Sequence, residues 1–163
     1  MLTTKDYMRF NEYKPITLDG MYNGDTATLA NLDYNLEGII TTEAPITLNT
    51  LKQRLREAFG VKKISEKALN IIDEHIKKLG FPSTDNLYDV VYWPNEGIFN
   101  PNILRINSNR QIYDVPYQEM RLLVNELNLK GEELYRQILS FYGFEVLTEK
   151  AHNYLRFVES KSN

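Results

Sequence analysis

Apolar residues recur at helical spacing in two parts of the chain, and each run ends at a glycine. In the first run Leu51, Leu55 and Phe59 fall on one face of a predicted helix, and Gly60 follows immediately. A glycine here favours a left-handed residue that ends the helix, and Ser65 then suits the N-cap of a second amphipathic helix. The pattern predicts two helices joined by a tight turn.

The same pattern occurs again further along the chain. Residues 51–70, LKQRLREAFGVKKISEKALN, align without a gap with residues 134–153, LYRQILSFYGFEVLTEKAHN. The identical pairs are Leu51/Leu134, Gly60/Gly143, Glu66/Glu149, Lys67/Lys150, Ala68/Ala151 and Asn70/Asn153. A repeat at one fixed offset indicates a structural unit used twice, and two helices joined by a short glycine turn are typical of a helix-turn-helix. We therefore predict an internal repeat of two such units, although any packed helical hairpin gives a similar local pattern.

The segments around the first copy favour a winged helix. Residues 29–40 place leucines and isoleucines on one helical face, and the run YDVVYWP at residues 88–94 is rich in β-forming residues and bounded by turns. Three helices followed by a β-hairpin is the element order of a winged helix. The second copy has its own leading helix but little chain beyond Phe157 for a hairpin. The predicted fold class is α+β, mostly helical, with a winged helix-turn-helix followed by a second, degenerate helix-turn-helix unit.

These elements divide the chain into three predicted segments. Residues 1–94 form a lead-in and the winged-helix unit, and residues 116–163 form the second helical, helix-turn-helix-like unit. Residues 95–115 connect them and are rich in turn residues. Within this connection a short β pairing is expected between ILRI at 103–106 and RQIYDV at 110–115.

Composition narrows the class of protein. The chain of 163 residues is 42% hydrophobic, enough to fill a core without added cross-links. It has no cysteine, which excludes disulfides, thiolate zinc sites and cysteine nucleophiles and favours a reducing compartment. No apolar run approaches ~18 residues, the length that a membrane-spanning helix needs. A soluble, cytoplasmic protein is predicted.

The charge is unevenly distributed along the chain. The net charge is −3, but residues 51–80 contain eight Lys and Arg against four Asp and Glu. This positive block holds the first copy of the repeat, and a basic patch is typical of a nucleic-acid contact. The candidate DNA-binding residues are Lys62, Lys63, Lys67, Asn70, Lys77 and Lys78.

A helix-turn-helix docks the helix after its turn into the major groove, with the N-terminal residues of that helix nearest the bases. Lys67 and Asn70 would then meet base edges or phosphates, and Lys62 and Lys63 would reach the backbone beside a wing at residues 83–86. The same lysines are equally typical of the solvated face of an amphipathic helix. The acidic residues Asp73 and Glu74 on that helix would repel phosphates.

Catalytic motifs are missing from the sequence. No glycine-rich turn ends in Gly-Lys-Ser or Gly-Lys-Thr, so the chain has no P-loop. A Glu-x-Lys of the kind that nucleases use is at residues 159–161, near the end of the chain. His75 and His152 have no carboxylate pair at metal-ligand spacing, and they are predicted to be surface or boundary residues. We expect no enzyme activity, cofactor, metal or small-molecule substrate.

Several segments resemble a known family. These are NEYKPITLDG at 11–20, IITTEAPITLNTLKQRLREAFGVKKIS at 39–65, YDVVYWP at 88–94, QIYDVPYQEMRLLVNEL at 111–127 and LYRQILSFYGF at 134–144. The chain resembles the domain of unknown function at the C-terminus of large bacterial proteins that have a superfamily 1 helicase-like motor and a restriction-endonuclease-like domain. The resemblance implies a helicase-associated accessory module without catalytic residues of its own.

Two functions follow from these patterns. The first is a non-catalytic accessory DNA-binding module of a helicase- or nuclease-type protein, with weakly sequence-specific duplex contact. The alternative is a winged-helix module that docks onto helicase or nuclease domains of a parent protein, which the overall acidic balance favours. A stand-alone transcriptional regulator is less favoured, because no ligand pocket or dedicated dimerisation helix is evident in the sequence.

Overall fold

The computed structural model describes residues 1–162 and is α+β and mostly helical. These residues form two compact units. One unit comprises residues 8–84 and 91–98, contains the first copy of the repeat and is called the first-copy unit below. The other comprises residues 1–7, 85–90 and 99–162 and is called the second-copy unit.

The first-copy unit contains a set of helices followed by a small sheet. Its elements are α1 (Leu18–Tyr22), α2 (Thr26–Glu43), β2 (Ile46–Thr47), α3 (Leu48–Phe59), α4 (Glu66–Lys78), β3 (Ser83–Asp85) and β4 (Val90–Tyr92). The strands are ordered β2-β4-β3, and β2 is antiparallel to β4 with Ile46 opposite Tyr92. The tip of the β3–β4 hairpin, residues 85–90, groups with the second-copy unit.

Local signals set the ends of α3 and α4 where the sequence predicts them. The Thr47 hydroxyl accepts a hydrogen bond from the Thr50 amide at the start of α3. Gly60 ends α3 in the left-handed region at φ 70°. A residue with a Cβ atom would be less stable in this conformation by ~1–2 kcal/mol. The Ser65 hydroxyl then accepts from the Ala68 amide and caps α4.

The core of the first-copy unit is built from the apolar faces of its three longer helices. The fully buried apolar residues on these helices are Leu32, Leu36, Ile39 and Ile40 on α2, Leu51 and Leu55 on α3, and Ala68, Ile72 and Ile76 on α4. Their helical spacing places the polar residues of α4 on its opposite, exposed face. The core therefore determines which side of α4 faces solvent.

The second-copy unit is also largely helical. Its elements are β1 (Thr4–Asp6), β5 (Leu104–Ile106), a short 3-10 helix (Ile112–Asp114), α5 (Tyr117–Leu127), α6 (Gly131–Tyr142) and α7 (Glu149–Ser160). A continuous buried cluster holds these elements together, and it includes Leu104, Met120, Leu123, Leu134, Ile138, Tyr154, Leu155 and Val158. Gly143 ends α6 at φ 82°, and the Thr148 hydroxyl caps α7 through the Ala151 amide.

The expected β pairing of residues 103–106 with 110–115 is wrong. The strand β5 pairs instead in parallel with β1, with Thr4 opposite Leu104 and Asp6 opposite Ile106, while residues 112–114 form the 3-10 helix. On β5 the Arg105 amide donates to the Glu119 carboxylate at 3.0 Å. A side chain thus takes this backbone donor of β5, and a second strand cannot use it.

The three predicted segments do not coincide with the two units. Residues 1–7 and 85–90, predicted to belong to the winged-helix segment 1–94, group with the C-terminal helices. The connecting segment 95–115 is divided between the units after Ile98. Residues 116–162 all belong to the second-copy unit, and Asn163 lies outside the described residues.

Candidate nucleic-acid interface

The six candidate residues lie along the turn between α3 and α4 and along the solvent side of α4. Lys62 and Lys63 are in the turn, and both are exposed. Lys67, Asn70, Lys77 and Lys78 are exposed on α4, because Ala68, Ile72 and Ile76 fix the opposite side of the helix in the core. All six side chains are therefore accessible, and the core packing of α4 accounts for the four on that helix.

The first turn of α4 is anchored by a tyrosine from α1. The Tyr22 hydroxyl is 2.9 Å from the Ser65 hydroxyl, the N-cap of α4. The Lys67 ammonium lies 4.8 Å from the centre of the Tyr22 ring. A cation–π contact at an exposed site contributes ~0.5–1 kcal/mol, so a phosphate can compete for this ammonium. No local sequence pattern indicated Tyr22, because it lies more than forty positions before Lys67.

Acidic residues divide the basic face of α4. The Lys77 ammonium forms an ion pair with the Asp73 carboxylate at 3.0 Å, and the exposed Glu74 lies beside it. Lys62, Lys63 and Lys67 form a group at the N-terminal end of the helix, and Lys77 and Lys78 lie beyond the acids. The N-terminal group is therefore the part of the block with the strongest net positive charge.

One further cation near the turn, Arg56, was not among the sequence candidates. An open depression of about 440 Å³ between α3 and the turn is lined by Arg56 and Lys62, with Glu57 at its side. The Glu57 carboxylate is paired with the Arg9 guanidinium, which offsets its negative charge. Arg56 lies in the last turn of α3, one helical turn before Gly60, and its spacing could have identified it.

The predicted wing is less open than the sequence suggests. Tyr88, at the hairpin tip, donates from its hydroxyl to the Lys150 carbonyl at 3.1 Å, and its ring stacks on the Tyr154 ring at 6.4 Å between centroids. Trp93 is fully buried and donates from its indole nitrogen to the Thr84 hydroxyl at 2.8 Å. Each of these aromatic residues thus has contacts within the protein that anchor its own segment of the hairpin.

The turn of the second copy presents different chemistry. At the positions of Lys62 and Lys63 the second copy has Glu145 and Val146. Lys150, the counterpart of Lys67, is also held on aromatic rings, with its ammonium 3.9 Å from the centre of Tyr113 and 5.0 Å from that of Tyr88. The basic turn is a feature of the first copy.

The two histidines are paired with single carboxylates. The His75 Nδ1 atom is 2.6 Å from Asp33 Oδ1, and the His152 Nε2 atom is 2.9 Å from Glu132 Oε1. Over residues 1–162 there is no group of three His, Cys, Asp or Glu side chains arranged to hold a metal ion. No helix in the same range has the length and apolar character to cross a membrane.

Comparison with known proteins finds no matching family model, no matching curated protein and no matching solved structure. The family resemblance noted in the sequence therefore stays a hypothesis.

Proposed function

We propose that the first-copy unit is a winged-helix-like module that contacts duplex DNA weakly and with little sequence preference. The element order α2-β2-α3-α4-β3-β4 and the strand order β2-β4-β3 support this proposal, because both are the orders of a winged helix. In such proteins the helix after the turn, here α4, enters the major groove.

The observation that carries the proposal is the exposed pair Lys62 and Lys63 directly before α4. Neither ammonium has an acidic partner among the ion pairs of residues 1–162. Lys67 follows on the first turn of the helix, where it could leave Tyr22 for a phosphate. Lysines that contact phosphates fix position more than sequence, so the contact is sequence-tolerant and salt-sensitive.

The proposed role is accessory and non-catalytic. The family resemblance in the sequence leads us to propose that the module positions DNA for a helicase or nuclease domain. In this proposal the basic group holds the DNA, and the helicase or nuclease domain carries out the reaction.

Fluorescence anisotropy with a labelled duplex tests the proposal. We expect the wild-type protein to bind at low salt, and three phosphate contacts predict a slope of log affinity against log salt of about −2.7. Reversing Lys62, Lys63 and Lys67 to Glu should abolish binding and leave the thermal transition almost unchanged, because exposed charges contribute little to folding. The matched control reverses Lys130 and Lys161, which are also exposed, and should bind like wild type.

The same titrations can also contradict the DNA proposal. Absence of any duplex binding at low salt, or equal binding by the triple variant, overturns the DNA proposal. If the triple variant loses its thermal transition as well as its binding, the loss of binding comes from unfolding. The double reversal of Lys62 and Lys63 alone then decides, because a folded double variant that binds like wild type overturns the DNA proposal.

A protein-docking function is the second candidate, and one observation favours it. Phe141, in the last turn of α6, is 40% exposed, and Val146, in the turn that follows, is 70% exposed with the acidic Glu145 before it. Apolar side chains at a turn are more typical of a protein contact than of a DNA contact. If this candidate is correct, Phe141→Glu with Val146→Glu should weaken binding to isolated helicase or nuclease domains, whereas the Lys62 and Lys63 reversals should not.

A further inference from the structure

A buried cluster of charge lies in the second-copy unit, apart from the basic turn. The Glu119 carboxylate accepts hydrogen bonds from Arg105 Nη2 at 2.6 Å and from Arg110 Nη2 at 2.8 Å. The side chain of Glu119 is 1% exposed, that of Arg105 7% and that of Arg110 3%. Burial alone would raise the pKa of Glu119, but the two guanidiniums outweigh it and lower the pKa to about 2. Glu119 is thus ionised at neutral pH, and the three side chains together carry one positive charge.

One N–H group of the Arg110 guanidinium is not used in a hydrogen bond within residues 1–162. Its Nε donates to the Ser108 hydroxyl, its Nη1 to Glu119, and its Nη2 to both Glu119 and the Arg105 carbonyl. A guanidinium has five N–H groups, and these bonds use four of them. The remaining Nη1 hydrogen has no acceptor among residues 1–162.

Tyr142 supplies a second donor of the same kind. Its hydroxyl is buried and has no hydrogen-bond partner among the described residues. Burial raises the pKa of Tyr142, so the hydroxyl keeps its proton at neutral pH. The Glu119 carboxylate raises this pKa further, and the Arg110 guanidinium lowers it. A buried donor without an acceptor is unfavourable, so this hydroxyl favours a partner that brings one.

Arg110 and Tyr142 both line one cavity. It has a volume of about 500 Å³ and lies between the loop of residues 106–111 and the turn of residues 141–144. The loop is fixed in shape, because Asn107 and Asn109 both adopt φ 58° and the Asn107 amide donates to the Asp6 carboxylate at 2.9 Å. Phe141 and Phe144 form an aromatic wall on the turn side.

We infer that this cavity binds a small oxyanion, a carboxylate or phosphate group carried on a planar apolar body. The unused Nη1 hydrogen of Arg110 can only donate and the Tyr142 hydroxyl can also donate, so one acceptor group can satisfy both. The excess positive charge of the cluster favours an anionic acceptor, and its burial strengthens that attraction. The aromatic side chains of Phe141 and Phe144 in the cavity lining suit a planar body beside the anion. This site is separate from the proposed DNA contact and was not suggested by the sequence, which indicated no small-molecule ligand.

Three ring compounds of similar shape test the inference on the full-length protein. Benzoate and phenyl phosphate present the two oxyanions, and benzamide has the shape of benzoate without its charge. We expect both anions to shift the backbone amide NMR signals of Arg110 and Gly143 saturably. Benzamide should bind at least tenfold more weakly than benzoate. A preference for one anion over the other identifies the oxyanion that the site takes.

The variant Tyr142→Phe removes only the hydroxyl and keeps the ring. We expect it to lower the affinity for the preferred anion about tenfold without lowering the thermal midpoint, because the buried hydroxyl has no bond to lose. The matched control is Tyr117→Phe, the same change at a tyrosine outside the cavity wall, which should bind like wild type.

Three results would overturn the inference. One is the absence of saturable binding by either anion, and another is equal affinity for benzamide and benzoate. The third is a Tyr142→Phe variant that binds as tightly as wild type. DNA affinity serves as an independent reading, since Tyr142→Phe should leave it unchanged whether or not the DNA proposal holds.

Discussion

The two copies of the repeat keep the same backbone signals and differ in their surfaces. In both, a left-handed glycine ends the first helix and a hydroxyl residue caps the second, at Gly60 and Ser65 in one copy and Gly143 and Thr148 in the other. Between these fixed points, the first copy has two lysines and the second has a glutamate and a valine. The residues that determine the backbone are thus separate from those that determine a partner.

The buried ion pairs of the two units differ as well. In the first-copy unit Arg54 pairs with Glu43 at 3.0 Å, one guanidinium to one carboxylate. In the second-copy unit two guanidiniums share the Glu119 carboxylate. Losing the single acid of such a cluster leaves like charges together in the interior.

The largest expected effect is therefore that of Glu119→Ala. Removing one partner of a buried ion pair typically costs ~3–5 kcal/mol, and here two cations lose their partner at once. We expect a decrease of this size in the free energy of unfolding, measured by urea denaturation. Glu145→Ala, at an exposed acid of the same unit, should change it by less than ~0.5 kcal/mol. Similar values for the two variants would contradict the role assigned to the cluster.

Acid should produce a related but gradual effect. The folded-state pKa of Glu119 is about 2, below its ordinary value of 4.5. A lowered pKa contributes stability above the unfolded-state value, and this stability is lost as the pH falls from about 4.5 toward 2. The wild-type protein should therefore lose more stability over this window than Glu119→Gln, which has no carboxyl to protonate. Parallel curves for the two proteins in acid urea titrations would refute the assignment.

Exchanging the two turns tests the surface difference directly. Lys62→Glu with Lys63→Val gives the first copy the turn chemistry of the second. We expect the duplex affinity at low salt to fall at least tenfold and the salt slope to become about 1.8 shallower, because two phosphate contacts are lost. The converse change, Glu145→Lys with Val146→Lys, should add salt-dependent binding. Unchanged anisotropy titrations for both variants would mean that the turns do not determine the DNA contact.

Alanine at either turn glycine should cost a similar amount. A Cβ at Gly60 or Gly143 meets no atom within 4 Å, so the only penalty is the left-handed backbone, ~1–2 kcal/mol. Gly60→Ala and Gly143→Ala should therefore lower the free energy of unfolding by nearly equal amounts. A clear inequality in urea unfolding would show that the two turns are not equivalent.

The smallest expected effect is that of the caps. Ser65→Ala and Thr148→Ala each remove one side-chain bond to a helix amide, worth ~1 kcal/mol. Ser65→Ala should cost slightly more, because its hydroxyl also contacts the Tyr22 hydroxyl. The double variant Ser65→Ala with Tyr22→Phe isolates that extra contact. Additive losses in thermal denaturation would show that it contributes nothing.

Sequence reasoning succeeded where the signal is local. Gly60, Ser65, Gly143 and Thr148 determine helix ends through their own backbone and the residues beside them, so the predicted pairs of helices are present. Periodicity likewise gave the buried and exposed sides of α4. These features need no knowledge of distant contacts.

The failures come from pairings between distant residues. Thr4 lies opposite Leu104 with no alternating pattern that marks either strand, so a local pairing was expected instead. Arg105, Arg110 and Glu119 look like surface charges in sequence, because only the fold reveals that their charges meet in the interior. The cavity beside Arg110 was missed for the same reason.

The parallel pairing of β1 with β5 has a consequence for the order in which the protein can fold during synthesis. The ribosome makes residues 4–6 well before their partner strand, residues 104–106. Domains generally fold as units during translation, and joining such distant segments requires closing a long loop. Residues 4–6 must therefore stay without their partner strand until residues 104–106 have been made. The Tyr7 ring lies 4.7 Å from the guanidiniums of both Arg105 and Arg110. It can therefore cover the buried cluster only after β1 and β5 have paired.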